Sequence, residues 1–113
     1  MPALTKLIHP VRDLAAARTV YAALLGVEPT MDEAYYVGFD VGDQHLGLDP
    51  HGHAKGMTGP VGYWQVDDIE KAVSSLTEAG ATPAGEPEDV GGGTMVATLT
   101  DADGNPIGLI QPS

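Results

Sequence analysis

Cysteine is absent from this 113-residue chain, which excludes disulfide scaffolds, zinc ribbons and cysteine nucleophiles together. Basic residues are scarce: five Lys and Arg stand against sixteen Asp and Glu, a formal net charge of -11. Such a surface repels phosphate backbones and excludes nucleic acid as a partner. No apolar run approaches the roughly 20 residues of a spanning helix, so no membrane partner is expected. The start of the chain lacks the basic-plus-apolar pattern of a secretory signal, so the expectation is a soluble, cytoplasmic protein.

What is present points to one folded domain. Hydrophobic residues make up 42%, too many for disorder, while fifteen Gly and nine Pro call for many turns. A chain of this size buries about 65% of its unfolded surface, enough for a core without staples. The acidity favours a cationic or metal-bearing partner through long-range attraction, or serves only solubility.

Strand signals dominate and are interrupted twice by helix signals. Leu4 to Val11 reads as a strand, with Leu7 and Val11 on one face and Lys6, Ile8 and Pro10 on the other. Asp13 offers an N-cap, Leu14, Ala17, Val20, Tyr21, Leu24 and Leu25 recur at helical spacing, and Gly26 ends the helix. From Ala34 to Val41 the apolar Tyr35, Val37 and Phe39 alternate with Tyr36, Gly38 and Asp40. Gly42-Asp43 turns the chain, and Gln44 to Leu48 returns as a partner strand. Residues 50–59, rich in His, Gly and Lys, read as a linker that Asp49 and Pro60 border. Beyond it come a strand at Val61–Val66, a helix capped by Asp67 or Asp68 and stopped at Gly80, a short strand within Ala81–Glu86, and strands at Thr94–Thr100 and Ile107–Gln111. Gly91-Gly92-Gly93 precedes no helix and is a turn. Neither a phosphate loop, a dinucleotide fingerprint nor a Ser-His-Asp set with motif context occurs.

The chain is thus a repeat, residues 1–49 and 60–113. Val11-Arg12-Asp13-Leu14 corresponds to Val66-Asp67-Asp68-Ile69 at an offset of 55 residues, and Leu24-Leu25-Gly26 corresponds to Glu78-Ala79-Gly80. Leu46-Gly47-Leu48 corresponds to Ile107-Gly108-Leu109, each following a Gly/Asp turn.

These residues resemble the vicinal oxygen chelate superfamily of glyoxalases, extradiol dioxygenases, fosfomycin-resistance enzymes and bleomycin resistance proteins. The Val-x-Asp-Leu opening before a helix ending Tyr21-x-x-Leu24-Leu25-Gly26 is similar to its first module. Val66-Asp67-Asp68-Ile69 and Asp101-Ala102-Asp103-Gly104-Asn105-Pro106-Ile107 are similar to its second. The resemblance implies an α+β fold of two βαβββ modules with pseudo-twofold symmetry, forming a cupped mixed sheet with helices outside, commonly as a homodimer.

The resemblance also implies where a metal would sit. The first-strand ligand falls seven residues before the Asp of each module, at Lys6 and Val61; the last-strand ligand falls at Gly47 and Gly108. An ammonium, an isopropyl group and two hydrogens are not ligands, so neither metal nor other cofactor is expected. Alternation puts Tyr36, Asp40, His45, Tyr63, Gln65 and Ile110 on the concave face, and these are the expected contacts for a small-molecule ligand in the cup. His9 falls on the helix side as a hydrogen-bonded core residue, Trp64 likewise faces the helix, and His51 and His53 form a solvated pair in the linker.

Three functions remain open. One is a metal-free binding protein similar to bleomycin resistance proteins, sequestering an antibiotic or another planar or cationic natural product. The second is a lyase, isomerase or dioxygenase with an atypical metal site drawn from His45, His51 or His53. The third is a regulatory or structural dimer with a filled cup.

Overall fold

Each helix begins at an aspartate that supplies a missing acceptor. In the computed structural model, which describes residues 2–113, Asp13 accepts from the Ala16 N–H at 3.0 Å and opens α1 (Leu14–Leu25). Asp68 accepts from the Lys71 N–H at 3.1 Å and opens α2 (Ile69–Glu78). Gly26 closes α1 with φ 71°, a left-handed conformation that a side chain would disfavour, and its N–H donates to the Ala22 carbonyl. The strands among the described residues are β1 (Ala3–Pro10), β2 (Met31–Glu33), β3 (Tyr36–Val41), β4 (Gln44–Asp49), β5 (Val61–Gln65), β6 (Thr82–Pro83), β7 (Glu88–Asp89), β8 (Met95–Thr100) and β9 (Pro106–Gln111). Two compact units contain them: Thr5–Val61, and Gly62–Ser113 together with residues 2–4.

The first unit is a βαβββ module with strand order β2-β3-β4-β1. The β3–β4 hairpin is antiparallel and turns at Gly42, φ 60°; β4 then runs parallel to β1. Alternation sends Val37, Phe39 and Leu48 to one face, where they are fully buried against Leu14, Ala17, Tyr21, Ala22 and Leu25 of α1. Burying each of these large side chains contributes about 1.5–3 kcal/mol.

Three sequence expectations fail here. Tyr35 is 58% exposed, because it lies in the turn between β2 and β3 and not on the core face. Val20 and Leu24 are 62% and 72% exposed. At about 100° per residue they fall outside the arc centred on Leu14, Tyr21 and Leu25. β2 was not anticipated, since Met31-Asp32-Glu33 carries no apolar alternation.

The segment read as a linker is fastened, and Asp49, expected at its border, is the buried last residue of β4. Its carboxylate accepts from the His51 N–H at 2.8 Å and from Lys55 Nζ at 2.9 Å; its carbonyl accepts from the Val11 N–H at 3.0 Å. His53–Lys55 form one 3-10 turn, and Arg12 Nη1 lies 3.3 Å from His53 Nε2. His53 is therefore tied back to the residue before the α1 cap and is half-buried, while His51 is exposed as expected.

The second unit repeats the plan with a broken hairpin strand. β5 runs parallel to β9, β9 antiparallel to β8, and both β6 and β7 pair with β8. The short strand expected within Ala81–Glu86 is β6, which ends at Pro83, a residue with no N–H to continue a ladder; β7 at Glu88–Asp89 lies beyond that range and was not anticipated. Ile69, Ala97, Leu99 and Leu109 make the core, packed with Val66, Ala72, Val73, Leu76 and Met95. Gln111 accepts from the Ile69 N–H at 2.8 Å and so satisfies a second orphan donor of α2. Trp64 faces α2 as expected, yet stays 41% exposed. It walls an open apolar hollow of about 390 Å³ with Pro2, Val66, Ala72, Leu76, Ile107 and Leu109. Its counterpart at the same repeat position is His9, half-buried and in contact with the Tyr21 ring at a centroid distance of 5.2 Å. Tyr21 Oη and His9 Nδ1 share a long hydrogen bond of 3.4 Å, and burial holds the His9 pKa below its ordinary value.

The register repeats too. Ile8 stands beside Gly47 in the β1–β4 pair, and Tyr63 stands beside Gly108 in the β5–β9 pair. Ile8 and Tyr63 are separated by the same 55 residues as the two helix-capping aspartates. No helix of the described residues is long and apolar enough to cross a membrane.

Candidate functional site

On the first unit, the sheet face opposite α1 is arranged in rows. β1, β4 and β3 contribute Lys6, His45 and Asp40 side by side, and the next row is Ile8, Gly47 and Gly38. Paired residues of neighbouring strands project to the same face, so the first row is polar and the second has almost no side chains.

Tyr36 uses that bare row as a floor. Its ring lies over Gly38 and Gly47: a Cβ at Gly47 would collide with the Tyr36 hydroxyl, and with its Cζ at 2.6 Å. A Cβ at Gly38 would stand 2.6 Å from His45 Cε1 and 3.1 Å from Tyr36 Cε2. Lying flat, the phenol reaches His45, with Oη 2.6 Å from Nε2. The two rings are 4° from parallel with centroids 5.9 Å apart, which is an edge-to-edge contact and too distant for face stacking.

A hydrogen-bonded chain runs on from His45. Its Nδ1 lies 2.7 Å from Asp40 Oδ1, and Thr30 Oγ1 donates to Asp40 Oδ2 at 2.6 Å. The bond from Thr30, then that from His45, hold the Asp40 carboxyl below the usual carboxylate range; attraction to His45 and Lys6 adds to this. An ionised Asp40 assigns the proton of neutral His45 to Nδ1. Nε2 is then the acceptor and the Tyr36 hydroxyl the donor. Proton acceptor, imidazole and phenol are in line. A histidine oriented by a carboxylate and bonded to a hydroxyl is an arrangement for moving a proton.

Lys6 is half-buried beside this chain. Burial lowers its pKa from the ordinary lysine value, with Asp40 acting in the opposite sense. Its ammonium makes no hydrogen bond or salt bridge among the described residues, whereas Lys55 is paired with Asp49.

Of the expected contact residues, Tyr36, Asp40 and His45 are brought together. Tyr63, Gln65 and Ile110 belong to the second unit. There Tyr63 covers Gly108, whose Cβ would fall 2.7 Å from Tyr63 Cδ2. Gln65 is exposed, and Ile110 is buried at 7%. Thr30 was missed, since a threonine before a strand without apolar pattern gives no signal. Lys6 was singled out only as an obstacle to metal.

A family model described as Glyoxalase/Bleomycin resistance protein/Dioxygenase superfamily matches residues 4–109. The chain belongs to this superfamily. Solved structures of the same fold include hypothetical protein BH1468 from Bacillus halodurans C-125, at 17% identity and TM-score 0.78, covering 99% of this chain and 95% of that one. A glyoxalase/bleomycin resistance protein/dioxygenase superfamily member from Vibrio splendidus 12B01 aligns at 15% identity and TM-score 0.74, over 99% of this chain and 100% of that one. Methylmalonyl-CoA epimerase from Mycobacterium tuberculosis aligns at 18% identity and TM-score 0.71, over 97% and 87%. No curated protein matches the chain.

The divalent ion that the superfamily resemblance implies does not fit the residues present. Lys6, Val61, Gly47 and Gly108 stand at its ligand positions, and Tyr36 and Tyr63 fill the space above the two glycines. Among the described residues, no group of three or more His, Asp or Glu is placed to hold a metal.

Proposed function

We propose that this superfamily member is a metal-independent binding protein for a small molecule, taken up on the face formed by Tyr36, His45, Asp40 and Lys6. The observation that carries this reading is the tyrosine laid over Gly47, which fills a ligand position with an organic side chain. Tyr36 offers a flat apolar face whose hydroxyl is fixed by His45, which suits a planar ligand with polar edges. An antibiotic or other natural product sequestered on this face fits this description, as in bleomycin resistance proteins. The net charge draws cations from a distance, but Lys6 on the face itself favours a neutral or polar-edged ligand over a cation.

The alternative of a metalloenzyme with a histidine site finds little support in the chemistry. Both nitrogens of His45 are engaged, by Asp40 and Tyr36, and His53 Nε2 faces Arg12. Metal analysis of protein purified without added metal tests the reading. Less than a tenth of an equivalent of any transition metal, with thermal stability unchanged by chelator, is the expected result. One equivalent of Ni, Zn, Fe or Mn would overturn it. In a thermal-shift screen of aromatic natural products, a true ligand raises Tm, and Tyr36→Ala removes the rise.

A further inference from the structure

Lys6 is the anomalous group on this face. Of the three lysines, Lys55 is paired with Asp49 at 2.9 Å and Lys71 is exposed on α2. Lys6 alone is half-buried, and it has no hydrogen-bonding partner among the described residues. It stands directly beside His45 in the parallel β1–β4 register, about 4.8 Å away at the backbone. His45 in turn holds the Tyr36 hydroxyl and Asp40. An amine that makes no hydrogen bond among the described residues and feels only the charge of Asp40, beside a phenol–imidazole–carboxylate chain, has two uses, to hold an anion or to act as a nucleophile. The first is disfavoured: the chain carries a net charge of -11, and Asp40 already sits in the same row.

We propose that Lys6 is a nucleophilic amine that captures a small neutral carbonyl compound, an aldehyde or ketone, as a reversible imine, with the Tyr36–His45 pair moving the protons. This rests on the reading that the face takes up a small molecule without a metal, and it names the ligand class. The neutral amine adds to the carbonyl carbon and the C–O π electrons go to oxygen. One nitrogen proton passes to that oxygen, giving a carbinolamine. The C–O bond then breaks as the Tyr36–His45 pair delivers a proton, and oxygen leaves as water. The nitrogen's second proton returns to the pair, so amine and carbonyl give imine and water with nothing else consumed. Burial that favours the uncharged amine works in the same direction.

The test is reductive trapping on the whole protein with propionaldehyde and limiting cyanoborohydride, followed by peptide mass mapping. Lys55 and Lys71 serve as internal controls. Lys6 should be alkylated at least tenfold faster than either, and its rate should reach its plateau at lower pH than theirs. Tyr36→Phe and His45→Asn should each slow Lys6 several-fold and leave Lys55 and Lys71 unchanged. Alkylation of Lys6 at or below the rate of the other two lysines would overturn the proposal. So would an unchanged Lys6 rate in both variants. Neither result bears on metal content, so the binding reading stands or falls separately.

Discussion

Tyr36 is held at both ends, by the glycines under its ring and by His45 at its hydroxyl. Removing the hydroxyl leaves His45 Nε2 without its donor. Tyr36→Phe should therefore lower stability by about 1 kcal/mol, measured by urea unfolding. Gly47→Ala pushes a methyl group into the phenol and should lower stability by about 1–3 kcal/mol. In the double variant Tyr36→Ala/Gly47→Ala the two losses should fall short of additive, because the collision with the phenol is gone and only the contact with the flexible Ile8 Cδ1, at 2.6 Å, remains. Asp40 gives a prediction in pH. Its folded pKa lies below the ordinary 3.8, so its bonds to Thr30 and His45 stabilise the fold above that value. That stability is lost as pH falls through the depressed value. Wild type should exceed Asp40→Asn in Tm at pH 5–6, and the gap should close towards pH 2. A gap that widened in acid would contradict the assignment.

At the scale of elements, the aspartate caps were legible because their signal is local, although the sequence left Asp67 and Asp68 both open for the second. Asp13 before Leu14 and Asp68 before Ile69 are each followed by apolar residues at helical spacing, and both helices start there. Asp13→Ala and Asp68→Ala should each cost about 1 kcal/mol, with loss of amide-exchange protection confined to the first turn of the helix concerned. The alternation of β3 and β4 was equally readable and gave the shared face of Tyr36, Asp40 and His45. What alternation cannot show is how far a side chain reaches along the sheet. The Tyr36–His45 bond spans one row, and only the hydrogens of Gly38 and Gly47 allow it. Glycine in a strand reads alike for a roomy cavity and for close packing, and here it marks a side chain lying down. Tyr35 leaves its expected face for a related reason: an aromatic residue signals burial by its type, while the turn it lies in decides its surroundings.

At the scale of the whole chain, three correspondences in order carry the repeat reading, and Ile8 beside Gly47 and Tyr63 beside Gly108 hold like register positions. A homodimer is proposed on the same scale. Val20 and Leu24, four residues apart on α1, are both largely exposed apolar side chains that a second copy could cover. Light scattering at micromolar concentration should give twice 11.7 kDa. Val20→Lys/Leu24→Lys should give the monomer if α1 forms the contact. A wild-type monomer would remove the proposal.

The tyrosine lying across the glycine floor also constrains the order in which this sequence can change. A chain with a carboxylate at position 47 has no room for the phenol, and a chain with the phenol has no room for a carboxylate. No single substitution crosses between the two states without passing through a crowded or hollowed intermediate. A move to metal chemistry would have to begin at position 36, whose ring covers a ligand position, with a residue small enough to vacate the floor.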